Sequence, residues 1–61
     1  MRLRVIRKRK GLTQRAVATK ATMSYTYLCN LENGKVDASL NTLRRLAKVL
    51  KVRVVDLVAD E

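Results

Sequence analysis

Apolar residues recur along most of this chain at spacings of three and four, the period of amphipathic helices. The spacing predicts four helices whose buried sides are formed, in chain order, by Leu3 and Ile6, by Val17, Ala18 and Ala21, by Leu28 and Leu31, and by Leu40, Leu43, Leu46, Ala47 and Leu50. Arg7 shares the inner face of the first helix. The polar residues between these positions are therefore expected to face solvent or a partner.

Residues that favour helix ends separate these segments. Thr13, Ser24 and Ser39 are good N-caps for the second, third and fourth helices. Gly11 and Gly34 follow the first and third helices, where glycine is the preferred residue. Because only a short turn separates the second helix from the third, residues 13–32 are predicted to form a helix-turn-helix.

The last segment, VRVVDLVADE, favours two structures. Its valines favour a strand by propensity, but no other segment alternates in a way that would provide a partner strand. We therefore predict a short last helix over residues 54–59, with Val54, Leu57 and Val58 on its apolar face. The expected fold is a single all-α domain of five helices over residues 1–61, without repeats or linkers.

The charge of the chain is strongly positive. Fourteen Lys and Arg stand against five Asp and Glu, for a net charge of +9. Three of the five acids are Asp56, Asp60 and Glu61, which leaves two acids among residues 1–55. Such a surface attracts DNA, RNA or an acidic membrane, and charge alone does not choose among them.

Several classes of protein are disfavoured by composition. The one cysteine cannot form an internal disulfide, histidine is absent, and no apolar run approaches the length of a membrane span or a secretory signal. We expect an intracellular, cytoplasmic protein. Without paired carboxylates or metal-ligand spacing, we expect neither an enzyme nor a bound metal or cofactor.

The outer face of the third helix is polar and uncharged, and is formed by Tyr25, Thr26, Cys29 and Asn30. A helix with such side chains fits the major groove of DNA, where asparagine can pair with adenine and threonine can contact a thymine methyl. The alternative is a solvated helix face. For Cys29, a small, weakly polar filler is favoured over a redox sensor.

These features resemble the Xre/Cro-type helix-turn-helix family of phage and bacterial repressors. The resemblance rests on Gly11-Leu12-Thr13-Gln14 and Leu31-Glu32-Asn33-Gly34-Lys35 at this separation, and on the apolar positions between and after them. It implies a lambda-repressor-like fold. It also implies base reading by Tyr25, Thr26 and Asn30 with Cys29 adjacent, phosphate contacts from Gln14, Ser24, Asn33, Lys35 and Arg44, and a structural ion pair between Arg7 and Glu32.

The chain departs from the family pattern at three helix boundaries. Thr22 replaces a common glycine at the turn, Lys51 replaces one after the fourth helix, and Arg53 replaces a capping Ser or Asp before the last. A threonine held at positive φ would carry about 1–3 kcal/mol of strain.

Glu32 is the only acid before Val36, and pairing with Arg7 would remove its repulsion of phosphates.

The predicted function is transcriptional regulation, in the form of a repressor that occupies a palindromic operator as a homodimer. The resemblance places the dimer surface on Val52, Val54, Val55, Leu57 and Val58. With 61 residues and no sensing domain expected, control would come from concentration, cooperativity or a partner protein such as a toxin or an anti-repressor. The alternatives are a toxin–antitoxin antidote, a restriction-system controller protein, or a charge-driven binder of nucleic acid or membrane, with the membrane disfavoured.

Overall fold

The fold is built from helices alone. The computed structural model describes residues 1–59, and within them it has five helices and no strand: α1 Leu3–Arg9, α2 Gln14–Lys20, α3 Tyr25–Glu32, α4 Leu40–Leu50 and α5 Val54–Val58. The all-α prediction is confirmed, and the C-terminal valines form a helix rather than a strand. Residues 60 and 61 of the predicted 1–61 domain lie outside the described part.

Three helices begin at hydroxyl side chains, as the sequence predicted. The side-chain oxygen of the N-cap accepts a hydrogen bond from the backbone N–H three residues later, at 3.1 Å in each case: Thr13 from Ala16, Ser24 from Tyr27, and Ser39 from Thr42. Each bond satisfies one of the N–H groups that a helix start leaves without a partner. The starts of α2, α3 and α4 are therefore determined locally.

α5 begins without a hydroxyl cap. The Arg53 side chain has no acceptor atom, and the Asp56 carboxylate instead accepts a hydrogen bond from the Arg53 backbone N–H at 2.9 Å. This bond lowers the pKa of Asp56 from its ordinary value, because it favours the ionised carboxylate. The acid three residues into the helix thus supplies the cap that residue 53 lacks.

Two residues with side chains adopt the left-handed conformation that favours glycine. Thr22, in the turn between α2 and α3, has φ of 57°, and Lys51, after α4, has φ of 58°. These are the two positions where the resemblance noted in the sequence leads us to expect glycine, and the backbone keeps the left-handed conformation at both. For the β-branched Thr22 this conformation costs about 1–3 kcal/mol.

Eleven apolar side chains form one core, to which α1 to α5 all contribute: Leu3, Ile6, Val17, Ala18, Ala21, Leu28, Leu31, Leu46, Ala47, Leu50 and Leu57. α2 packs against α3 and α4, and α5 packs against α4. The Arg2 N–H donates to the Leu57 carbonyl at 2.7 Å, which joins the start of α1 to α5. The core holds α3 at a fixed tilt with its polar side outward.

One predicted core position is wrong. Leu40 was expected on the inner face of α4, but its side chain is 56% exposed. It is the first residue of α4, where the helix extends past the core, and the next leucine on that face, Leu43, is only half-buried. The helical period predicted the correct side of α4, but it could not predict where along the helix burial begins.

Candidate nucleic-acid interface

The outer face of α3 is accessible. Tyr25 is 40% exposed, Thr26 is exposed, and Cys29 and Asn30 are half-buried. Leu28 and Leu31 on the opposite side of the helix are buried, which fixes the rotation of α3 about its own axis. A helix of eight residues is about 12 Å long, and its width fits the major groove of B-DNA. α3 can therefore present these four side chains to base edges.

Tyr25 is held by two neighbours. The guanidinium carbon of Arg15 lies 4.4 Å from the centre of the Tyr25 ring, in cation–π contact. The Cys29 thiol, one helical turn further on, raises the pKa of Tyr25 above its ordinary value. A tyrosine phenol is protonated at neutral pH in any case, so Tyr25 can act as a hydrogen-bond donor.

The Glu32 carboxylate is the centre of a hydrogen-bonded cluster at the end of α3. Arg7 Nε lies 2.7 Å from Oε2 and Arg7 Nη2 lies 3.2 Å from Oε1, a two-point contact. Gln14 Nε2 and Arg4 Nε also donate to Oε1, at 3.1 and 3.2 Å. We call Arg4, Arg7, Gln14 and Glu32 the Glu32 cluster. It joins α1 to both helices of the helix-turn-helix.

Burial and hydrogen bonding act in opposite directions on Glu32. The carboxylate side chain is fully buried, and burial by itself would raise the pKa of Glu32. The bonds donated by Arg7, Gln14 and Arg4 outweigh burial and leave the pKa lower than usual. Glu32 is therefore ionised at neutral pH, and its charge is compensated before any phosphate approaches.

Most of the residues predicted to contact phosphate are close to this cluster. Gln14 belongs to it, and its Oε1 atom accepts a hydrogen bond from Cys29 Sγ at 3.5 Å. Asn33 Oδ1 accepts one from Arg4 Nη2 at 2.6 Å. The backbone N–H of Lys35 donates to the Asn30 carbonyl at 2.9 Å, which places this exposed lysine beside α3.

The other two predicted phosphate contacts are placed differently. Ser24 uses its hydroxyl oxygen to cap α3, and remains exposed. Arg44 lies on the exposed side of α4, and no side-chain hydrogen bond or ion pair within residues 1–59 connects it to the Glu32 cluster. Ser24 is therefore part of the α3 surface, whereas Arg44 stands apart from it.

Two arginines for which the sequence pattern predicted no role also belong to this surface. Arg4 bonds to both Glu32 and Asn33, and Arg15 stacks on Tyr25. Arg4 precedes Arg7 by three positions, so the helical period alone places both on one side of α1. That signal was present in the sequence. The position of Arg15 over an aromatic ring depends on how α2 crosses α3.

The predicted dimer residues divide into buried and exposed groups. Val55 and Val58 are 55% and 47% exposed, and Val52 and Val54 are partly buried against the core. Leu57 is completely buried within its own chain. Leu57 thus cannot touch a second subunit in this fold, and it is removed from the predicted surface because the core takes its side chain.

The fold and the α3 surface define a helix-turn-helix protein. In agreement, the family model described as helix-turn-helix matches residues 3–57. The chain belongs to the Xre-type helix-turn-helix family, and the resemblance read from its sequence is confirmed. Within the described residues, no helix combines the length and apolar character that crossing a membrane requires.

Three relatives resemble most of this chain. It is 38% identical over 60 residues, 98% of its length, to the immunity repressor protein of Bacillus phage phi105. It is 41% identical over 56 residues, 92% of its length, to the helix-turn-helix-type transcriptional regulator DdrOP3 of Deinococcus deserti. These matches cover 42% and 43% of the respective relatives, so the chain spans less than half of each.

The third relative is an uncharacterised helix-turn-helix-type transcriptional regulator, y4dJ, of Sinorhizobium fredii. It is 42% identical over 53 residues, which cover 87% of this chain and 69% of y4dJ. No solved structure gives a significant match.

Proposed function

We propose that this protein is a sequence-specific DNA-binding transcriptional regulator that represses by occupying its operator. The observation that carries the proposal is the outer face of α3, which exposes uncharged polar side chains while the one acid of the helix is buried against arginines. A free carboxylate there would repel phosphates, and an apolar face would have no hydrogen bonds to offer bases. The names of the relatives support the same function.

In this proposal α3 lies in the major groove of DNA, and residues around α3 contact the sugar–phosphate backbone. Asn30 pairs with a base edge, Thr26 contacts a base or a thymine methyl, and Tyr25 donates its phenol hydrogen. Backbone contacts come from Gln14, Ser24, Asn33, Lys35 and Arg44. The Glu32 cluster fixes the Gln14 amide relative to α3, so one contact to phosphate and the contacts to bases share a rigid frame.

The first experiment selects bound sequences from a random DNA pool, and then measures Asn30→Ala on the selected duplex and on unrelated duplex. We expect a loss of about 1–3 kcal/mol on the selected duplex only. The matched control, Lys35→Ala, should weaken both duplexes alike and reduce the salt slope by about 1. Equal weakening of both duplexes by Asn30→Ala would show that Asn30 does not read a base.

We further propose that the protein acts as a two-fold dimer on a palindromic site. Met1, Val36 and Val58 are exposed apolar residues that line one groove, and Val55 extends the apolar surface along α5. A second copy would remove this surface from water. Two-fold pairing would place the recognition helices about 34 Å apart, one turn of DNA.

The dimer is tested by sedimentation velocity on Val58→Lys. A lysine would be buried without a partner in the proposed interface, so we expect the variant to be a monomer at concentrations where the natural protein is a dimer. Thr19→Lys, on the exposed side of α2, adds the same charge away from that surface and should leave the dimer intact. A monomeric natural protein would refute this assembly.

A protein partner is the alternative occupant of this surface. An antitoxin or a restriction-system controller protein would have the same fold, and isolation of a native complex with a second small protein would favour the antitoxin. A purely charge-driven binder would lack the preference of about 10³-fold or more that a sequence reader keeps over unrelated DNA. In each case the place of action is where the DNA lies, in the cytoplasm of a bacterial or archaeal host.

A further inference from the structure

A second basic surface lies away from α3. Two cavities, about 390 and 210 Å³, are neighbours, since Lys20 and Val49 line both. Five cations line the two cavities, from the end of α1, the end of α2, and α4 with the residue that follows it: Lys10, Lys20, Arg45, Lys48 and Lys51. We call these five residues and the two cavities the basic groove.

The basic groove is separate from the proposed operator surface. None of its lining residues is among the predicted base or phosphate contacts. Lys20 ends α2 whereas Gln14 begins it, which separates them by about 9 Å along the helix axis. Arg45 is adjacent to Arg44 in sequence but projects about 100° away around α4. The proposed operator contacts therefore use none of the side chains of the groove.

Among residues 1–59, the cations of the groove have no protein counter-charge, because no acid lines the groove and none of its five cations takes part in an ion pair. In contrast, Glu32 and Asp56 are each paired with arginine elsewhere. Five uncompensated charges around the groove repel one another, and an anionic partner would relieve that repulsion.

The lining of the groove favours a nucleic-acid backbone over a protein. Stable protein partners need apolar anchors in the centre of the contact. Leu12 and Val49 in the lining are half-buried, and they pack against the core of their own chain. The exposed large apolar residues all lie outside the groove: Met1, Tyr25, Val36, Leu40, Val55 and Val58. A row of phosphates needs only closely spaced cations, since counterion release supplies the affinity.

We propose that the basic groove binds the sugar–phosphate backbone of a second DNA duplex, without reading its sequence. One molecule then contacts two duplexes, or two distant segments of one duplex, with α3 on one and the groove on the other. The proposal goes beyond operator binding, and it requires only that the α3 surface holds the first duplex. Its consequence is that the protein can draw DNA segments together.

The experiment is capture of a second duplex. A biotinylated duplex with the selected sequence is fixed to beads, saturated with protein and washed, and a fluorescent duplex of unrelated sequence is then added. We expect the natural protein to retain the fluorescent duplex. Lys20→Gln/Lys48→Gln should reduce its capture on the order of 10-fold at 0.1 M salt and lower the salt slope by about 2, since two phosphate contacts are lost.

A matched variant separates the groove from bulk charge. Lys8→Gln/Arg9→Gln removes two exposed cations of α1 outside the groove, so both double variants fall from +9 to +7. This control should capture the second duplex nearly as well as the natural protein. Circular dichroism verifies that each variant is folded, and Lys10→Gln/Arg45→Gln replaces the groove variant if it is not.

Three outcomes would overturn the proposal. In the first, the natural protein captures no second duplex. In the second, the two double variants lose capture equally. In the third, the natural protein captures no second duplex but binds an acidic amphipathic peptide that the groove variant does not bind. The last outcome would assign the groove to an acidic protein. Binding to the fixed duplex is measured in the same wells, so failure of sequence preference there is seen independently of the groove.

Discussion

The Glu32 cluster makes an ordered set of predictions for stability. Glu32→Met would leave the Arg7 guanidinium, whose side chain is 9% exposed, with one bond, to the Leu12 carbonyl at 2.8 Å. Breaking a buried pair from one side costs about 3–5 kcal/mol. A chain of 61 residues has about 3–9 kcal/mol of total stability, at about 0.05–0.15 kcal/mol per residue, so this variant should lose at least about a third of its stability.

The two arginines should differ in their effects. Arg7→Met leaves Glu32 its bonds from Arg4 and Gln14, at 3.2 and 3.1 Å, so we expect a smaller loss of about 1–3 kcal/mol. Arg4 is 47% exposed, and solvent screens its pair with Glu32. Arg4→Met should therefore cost only about 0.2–1 kcal/mol. These free energies are measured by urea unfolding, with circular dichroism as the signal.

The double variant Arg7→Met/Glu32→Met provides the decisive comparison. Replacing both members of a buried ion pair by apolar residues is often neutral, because no charge is left without a partner. We expect the double variant to be more stable than Glu32→Met alone. If its loss equals the sum of the two single losses, or if Arg4→Met costs as much as Glu32→Met, the cluster does not stabilise the fold as described.

Three further predictions follow from single positions. Thr22→Gly should raise the unfolding free energy by about 0.5–2 kcal/mol, because relief of strain at φ 57° exceeds the added chain entropy; a loss of stability would contradict this. The pKa of Glu32 is lower in the folded than in the unfolded protein, so this carboxylate contributes stability that is complete above the unfolded pKa, about 4.3, and is lost as pH falls through the folded pKa. When the free energy of unfolding in urea is measured at several pH values, Glu32→Gln should therefore show a smaller decrease at acid pH than the natural protein. Leu40→Ser should change stability by less than about 0.5 kcal/mol while Leu46→Ala costs about 2–5, and similar losses from both would refute the placement of Leu40 outside the core.

Most of the helix boundaries could be predicted from local chemistry. Thr13, Ser24 and Ser39 begin helices because a hydroxyl bonds to an N–H three residues away, a contact that needs no distant partner. The start of α5 is local as well, although the capping atom is on Asp56 rather than on Arg53. Spacing could not show that Leu40 is exposed, since exposure depends on which helices reach the end of α4.

The candidate site was predicted in part. The outward direction of Tyr25, Thr26 and Asn30 follows from the buried leucines on the other side of the same helix. The bonds from Arg4 and Gln14 to Glu32, and the position of Arg15 over Tyr25, join residues far apart in sequence or on different helices. They arise only when α1 and α2 cross α3 at particular angles, which core packing decides.

The sequence by itself determined the helical period, the caps, the excess of positive charge and the polar face of α3, because each depends on residues within a few positions of one another. Only the tertiary structure decided that Leu57 is taken up by the core, that three side chains converge on Glu32, and that cations from three separate segments meet in the basic groove. Packing creates these features, since burial and convergence are properties of surfaces brought together by folding.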